Sequence, residues 1–170
     1  MACRASPGPG NVPAARLYLV IRLGGDRYAI DSSLVEEVVS LVRLKALPGA
    51  PAGVAGIMNY RTDAVPVIDL NLVALGTPTS PRIATRIVVV RHAAGGADDG
   101  HELLGLLVPE ATETRRIDDE EFVTAGVATD GAAYLGPVVT TPAGVIQRVT
   151  VGALLTPELR DALRRGSGAA

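Results

Sequence analysis

Aromatic side chains are nearly missing from this sequence: 170 residues hold no Trp, one Phe and four Tyr. The stacking platforms that hold single-stranded nucleic acid therefore have no basis here. Charge of one sign is missing too. Sixteen Lys and Arg stand against eighteen Asp and Glu, for a net charge of −2 and no basic block, which removes the electrostatic footprint of a nucleic-acid binder. A single cysteine, Cys3, excludes an intramolecular disulfide and a multi-cysteine zinc site, and a reducing compartment is the simplest reading. The longest uncharged run, 131–147, contains Pro137 and Pro142 and is shorter than the roughly 20 apolar residues of a membrane helix. Residues 1–15 lack the apolar h-region of a secretory signal and read as a disordered lead-in, and residues 166–170 read as a flexible tail.

What is present is aliphatic: 21 Val, 8 Ile, 19 Leu and 25 Ala. Such a composition suits pleated strands or small barrels, and the length allows one domain or two very small ones. From Arg16 onward, short apolar segments alternate with turn signals. Leu17 to Leu23 and Arg27 to Ile30 read as a hairpin around Gly24-Gly25-Asp26. Asp31 or Ser32 is placed to cap a helical turn through Val35, Glu36 and Glu37, and Val38 to Leu44 reads as extended. After a Pro- and Gly-rich loop over 47–53, Gly56 to Arg61 and Ala64 to Leu70 form a second hairpin, turning at Thr62-Asp63. Pro66 has no donor for a strand ladder, so its strand is expected at an edge, or the proline at a bulge. Asp69 is placed to cap a short helix from Leu70 that Gly76 closes, and 78–81 reads as a linker.

Beyond that linker the same order of elements recurs. Ile87 to His92 and Leu103 to Val108 make a hairpin with a longer polar loop, Glu110 to Ile117 follows, and Leu135 to Val139 pairs with Val145 to Val151 around Ala143-Gly144. At an offset of 81, Ile57 falls on Val138, Val65 on Ile146, Ile68 on Val149 and Leu70 on Val151. The alternation common to all-β chains accounts for part of this match. A true duplication predicts two small barrels, each marginal alone, leaning on one another across a shared apolar seam.

Catalytic chemistry is hard to find. His92 and His101 flank a loop with Asp98 and Asp99, a metal-ligand set that an ordinary polar loop explains as well. Thr129-Asp130-Gly131 reverses the aspartic-peptidase order and has no second copy. No phosphate cradle, nucleophile elbow or zinc-protease helix appears. The acidic run Asp118 to Glu121 reads as solvated surface, with guidance of a basic partner as the functional reading. These residues describe a binding protein without cofactor or metal.

Gly56-Ile57-Met58-Asn59-Tyr60-Arg61, followed by Val65-Pro66-Val67-Ile68-Asp69-Leu70, resembles the CheW family of chemotaxis coupling proteins. Tyr28-Ala29-Ile30-Asp31, Val35 to Val38, Gly105 to Val108, and Val145 to Leu155 extend the resemblance over most of the chain. It implies an all-β fold of two SH3-like five-stranded barrels packed together, with short helical segments. The domain is placed at 16–157, with subdomains at 16–78 and 82–157 and a helical turn and tail over 158–170. The resemblance implies a non-catalytic adaptor, cytoplasmic and recruited to receptor arrays, joining the cytoplasmic tips of transmembrane chemoreceptors to the regulatory domain of a CheA-type histidine kinase. Contact with the membrane is then only indirect. Thr62, Pro109 and Thr150 depart from the family pattern and suggest a diverged branch serving a dedicated non-flagellar or surface-sensing pathway instead of general swimming control. Because a β-branched residue is disfavoured at positive φ, Thr62 also implies an altered or strained turn.

Six residues are the candidates for partner binding. Arg61 offers a planar fork on a hairpin tip, suited to bidentate contact with carboxylates or carbonyls. Asn59 is expected to fix the hairpin through local backbone bonds, with partner contact as the second reading. Val35 and Glu37 match the segment the family uses toward the kinase, although periodicity alone makes Val35 a core residue. Gly105 and Val108 match the family's receptor-contacting strand and are equally ordinary strand residues. Two other functions remain: a free-standing small-barrel module for another protein or small ligand, and a hydrolase depending on His92, His101 or Asp130.

Overall fold

The computed structural model describes residues 15–93, 101–125 and 132–167. The lead-in 1–14, Asp98 and Asp99, the Thr129-Asp130-Gly131 segment and the last three residues of the tail lie outside the described residues. Ten strands are described: β1 (Arg16–Leu23), β2 (Asp26–Asp31), β3 (Val35–Ser40), β4 (Val54–Tyr60), β5 (Asp63–Asp69), β6 (Arg86–Ala93), β7 (His101–Val108), β8 (Glu110–Ile117), β9 (Leu135–Thr141) and β10 (Gly144–Val149). Three helices join them: α1 (Leu70–Leu75), α2 (Val151–Leu154) and α3 (Pro157–Ser167).

The strands form two five-stranded sheets, ordered β8-β1-β2-β10-β9 and β3-β6-β7-β5-β4. Advancing every strand of the second order by five, with β1 following β10, reproduces the first. Each sheet also holds one parallel pair, β2 with β10 and β5 with β7. Both sheets are drawn round on themselves by a single reciprocated bridge. After edge strand β3, Lys45 exchanges hydrogen bonds of 2.8 and 2.9 Å with Ile57 of the opposite edge, β4. After edge strand β8, Val123 does the same with Val138 of β9, again at 2.8 and 2.9 Å. Ile57 and Val138 are one of the four pairs aligned by the offset of 81, so the repeat seen in the sequence is a repeat of architecture.

The units of pairing differ from the two sequence halves. The first sheet takes β1 and β2 from one end of the chain and β8 to β10 from the other; the second is built from β3 to β7. The divide at 78–82 therefore falls inside the second sheet. The cause is that the β1–β2 and β6–β7 hairpins each insert among strands of the other half, β1 beside β8 and β2 beside β10, β6 beside β3 and β7 beside β5.

Burial follows from this exchange. Tyr18, Val20, Ala29, Ile117, Val139 and Ile146 fill the first sheet's interior, and Met58, Tyr60, Val65, Val67, Ile87, Val89 and Leu107 fill the second's. A third and larger cluster lies between the sheets, fed by Leu19, Ile21 and Leu23, by Val88 and Val90, and by Leu104, Leu106 and Val108. Strands β1, β6 and β7 are thus buried on both faces. That is why they read as continuous runs such as Ile87 to Val90, without hydrophobic-polar alternation.

Three local expectations change. Asp31 does cap a turn, its Oδ1 accepting from the Ser33 N–H at 2.9 Å, but the turn covers Ser32 to Leu34 and Val35–Ser40 is strand β3. Val35, Val38 and Val39 favour pleated pairing, here against β6, over a further helical turn. Beyond Ser40 the chain leaves the ladder to reach its closing bridge at Lys45. Pro66 is at neither an edge nor a bulge: β5 has neighbours on both sides, and the β4–β5 bulge falls at Ala55. Its missing donor is tolerated because the parallel pairing with β7 covers only Val67 to Asp69.

Candidate functional site

The motif residues divide into those that build the β4–β5 hairpin and those it displays. Gly56 (φ 147°) lies where the sheet closes; a Cβ there would stand 2.6 Å from the Lys45 carbonyl oxygen, so no larger residue fits. Met58 and Tyr60 point into the interior, and Asn59 between them faces out. Asp69 closes the segment. Its Oδ1 accepts from Leu72 N–H at 3.1 Å as the α1 N-cap, and its two oxygens accept from the Thr79 hydroxyl and N–H, both at 2.7 Å. Gly76, at φ 69°, ends α1 as expected from the sequence.

At the tip, Tyr60 pairs with Asp63 across a two-residue turn, Arg61-Thr62. Thr62 avoids positive φ, and Arg61 takes it at 56°. A non-glycine residue held there costs about 1–3 kcal/mol. Exposed ion pairs return at most about 1 kcal/mol each, so the tip is poor as a stabilising device and its arginine calls for another reason.

Arg61 sits against the opposite edge of its own sheet. Its Nη1 is 3.6 Å from Glu36 Oε1, its Nη2 is 3.5 Å from Glu37 Oε2, and its guanidinium carbon lies 4.9 Å from the Tyr60 ring centroid. Tyr60 Oη donates to Glu37 Oε2 at 2.5 Å, and this bond, followed by burial, raises the phenol's pKa. Arg91 of β6 completes the group, its Nε 3.3 Å from Glu36 Oε2. Two guanidiniums and two carboxylates thus balance in charge around one phenol, and Arg61 is the most exposed of the four charged groups.

Of the six candidates, Arg61, Glu37, Asn59 and Val35 come from this region. Asn59 is exposed, and its side chain has no hydrogen-bond partner among the described residues, contrary to the expectation that it fixes the hairpin. Val35 is half-buried against the core between the sheets. Gly105 and Val108 stand apart and are buried. Val108 belongs to the core between the sheets, and a Cβ on Gly105 would meet Val67 Cγ2 at 2.9 Å and Ile87 Cγ2 at 3.0 Å. Neither offers a side chain to a partner; both are packing residues. The sequence reading missed Glu36, Arg91 and Tyr60 as members of the group.

The departures are absorbed locally. Pro109 occupies the one-residue junction where the chain passes from β7 to β8, and Thr150 is the N-cap position of α2 without a side-chain cap bond. The acidic run is partly structural. Asp119 accepts from Tyr18 Oη at 2.5 Å and from Arg16 Nε at 2.9 Å. Buried His92 has Nδ1 3.1 Å from the Ala93 carbonyl and Nε2 3.8 Å from Glu102, and no metal-holding cluster occurs among the described residues.

A family model for the CheW-like domain matches residues 17–158. A chemotaxis protein CheW of Treponema pallidum is 38% identical over 53 residues, 31% of each chain. A probable chemotaxis protein CheW of Rhizobium etli is 26% identical over 105 residues, 62% of this chain and 63% of its own. The matches thus span about a third and just under two thirds of these two relatives. Among solved structures, the scaffolding protein TtCheW of Thermoanaerobacter tengcongensis superposes with a TM-score of 0.74 at 23% identity, covering 91% of this chain and 96% of that one.

Proposed function

We propose a function from a plain premise: the chain belongs to the CheW-like domain family. It is a non-catalytic adaptor in chemosensory signalling, and it couples the cytoplasmic tips of chemoreceptors to the regulatory domain of a CheA-type histidine kinase. The relatives' names as chemotaxis proteins and the scaffolding role named for the structural neighbour support the adaptor reading. The observation that carries the docking reading is the tip itself, where a strained, exposed Arg61 is displayed beside Glu37 and Asn59. No described helix is long and apolar enough to cross a membrane; in the proposed complex the receptor is the membrane-spanning partner. Thr62, Pro109 and Thr150 are accommodated by the backbone.

Arg61, Glu37 and Asn59 contact the kinase domain, with Val35 supporting the strand beneath them. Individual contacts need only be moderate, because assembly in an array multiplies them by effective concentration. The test is retention of the purified chain by a kinase regulatory domain and by a receptor cytoplasmic fragment. Arg61→Ala should weaken kinase binding at least about tenfold, as expected when a charged hydrogen-bonding partner is removed, with a nearly unchanged melting temperature because the ion pairs it loses are exposed. Retention by neither would sink the adaptor reading, and an unfolded variant would make Arg61 a structural residue.

A further inference from the structure

Neighbouring residues of a strand point to opposite faces, so Glu36 and Glu37 should not both reach one guanidinium. They do because β3 carries a bulge: Val35 pairs with Val90 and Glu37 with Val89, which leaves Glu36 as the extra residue. A bulge re-aims the side chain that it frees. Here the freed carboxylate has Arg61 at one oxygen and Arg91 at the other. Glu36 is the most covered of the four charges, its side chain 25% exposed against 47% for Glu37, 49% for Arg91 and 65% for Arg61. Its contacts, 3.6 and 3.3 Å, exceed the about 2.7–2.9 Å of a charge-assisted hydrogen bond. They steer Arg61 by charge, without a short hydrogen bond closing on its Nη1 or Nη2. The first sheet has the equivalent bulge opposite Val20 and Ile21, where the extra residue is Thr112, so the bulge itself needs no carboxylate.

We propose that Glu36 is a positioning residue: fixed by Arg91, it holds the Arg61 fork in its docking orientation, and the docking face extends from the hairpin tip across β3 to β6. This rests on the reading of Arg61 as a docking residue. The test combines two measurements on Glu36→Gln, with Arg91→Gln as the second variant. In the free chain, nuclear relaxation at the Arg61 Nε–Hε group reports whether the fork is held, and both variants should loosen it. Calorimetry with a purified kinase regulatory domain should show Glu36→Gln weakening affinity about three- to fivefold, the scale of a partly exposed ion pair. In an Arg61→Lys background, which lacks the fork, the same substitution should have no further effect. Unchanged relaxation, or an equal loss of affinity in both backgrounds, overturns the proposal. If the wild-type chain does not bind the kinase domain, the docking reading falls and relaxation alone decides the positioning.

Discussion

The β4–β5 and β9–β10 hairpins hold equivalent places in the two sheets and end differently. One turns through Arg61-Thr62 with positive φ on the arginine; the other turns through Pro142-Ala143 and leaves positive φ to Gly144, at 112°. Four charges and a phenol surround the first tip. At the second, Thr141 Oγ1 donates to the Gly144 carbonyl at 2.7 Å and accepts from Arg27 at 3.2 Å, which is enough to hold a turn. A neutral tip therefore satisfies this fold. The charged tip is an addition to one copy, and its strain accords with the proposed docking role.

The largest effect should come from the interiors. Gly105 and Ala29 are equivalent, paired with Val89 and Val20 respectively. Because even a Cβ crowds Val67 and Ile87 at Gly105, Gly105→Val should cost about 3 kcal/mol by overpacking. Ala29→Gly should cost about 1 kcal/mol. Urea unfolding measures both, and a Gly105→Val cost no larger than that of Ala29→Gly would show that the second interior has room at Gly105. Next come the caps, since Asp69 and Thr150 are equivalent N-cap positions and only the aspartate makes side-chain bonds. Asp69→Ala should cost about 2 kcal/mol, whereas Thr150→Asp should gain about 0.5 kcal/mol.

At the tips, Arg61→Gly should raise stability by about 1 kcal/mol through release of the φ strain while lowering kinase binding. A loss of stability would show that the ion pairs outweigh the strain. The smallest effect is alkaline. Burial, and then the Asp119 hydrogen bond, hold Tyr18 above its ordinary value of 10.0. The folded chain then keeps a proton that the unfolded chain releases, so this contribution is complete below about pH 10 and is lost as pH rises through the native value. Tyr18→Phe should flatten the fall in unfolding free energy between about pH 9 and 11.

Much of this was legible because local chemistry decided it. The Asp69 cap, the Gly76 stop, the hairpins and the offset placing Ile57 on Val138 all follow from spacing and turn residues. The exchange of the β1–β2 and β6–β7 hairpins was not legible, since partner choice among strands buried on both faces leaves no periodic mark. Nor was the Glu36 bulge. A Glu-Glu pair in a strand implies opposite faces, and only the ladder to β6 reveals the extra residue. Thr62 signalled a strained turn correctly in kind, but the strain settled one residue earlier, on Arg61. Gly105 and Val108 were read as contacts because an apolar strand looks the same whether it faces a partner or a neighbouring sheet.

The strand exchange also sets an order of assembly during synthesis. The second sheet, β3 to β7, is contiguous and can close once about two thirds of the chain has emerged. The β1–β2 hairpin appears first and has no neighbour until β8 and β10 are made. Its seam residues, Leu19, Ile21 and Leu23, stay uncovered until β6 and β7 supply Val88, Val90, Leu104 and Leu106. Closing the first sheet is thus the last and longest loop closure, the step that should limit the folding rate. Once closed, it joins the early and late strands through the β1–β8 and β2–β10 ladders, with the contiguous sheet inserted between them in the chain.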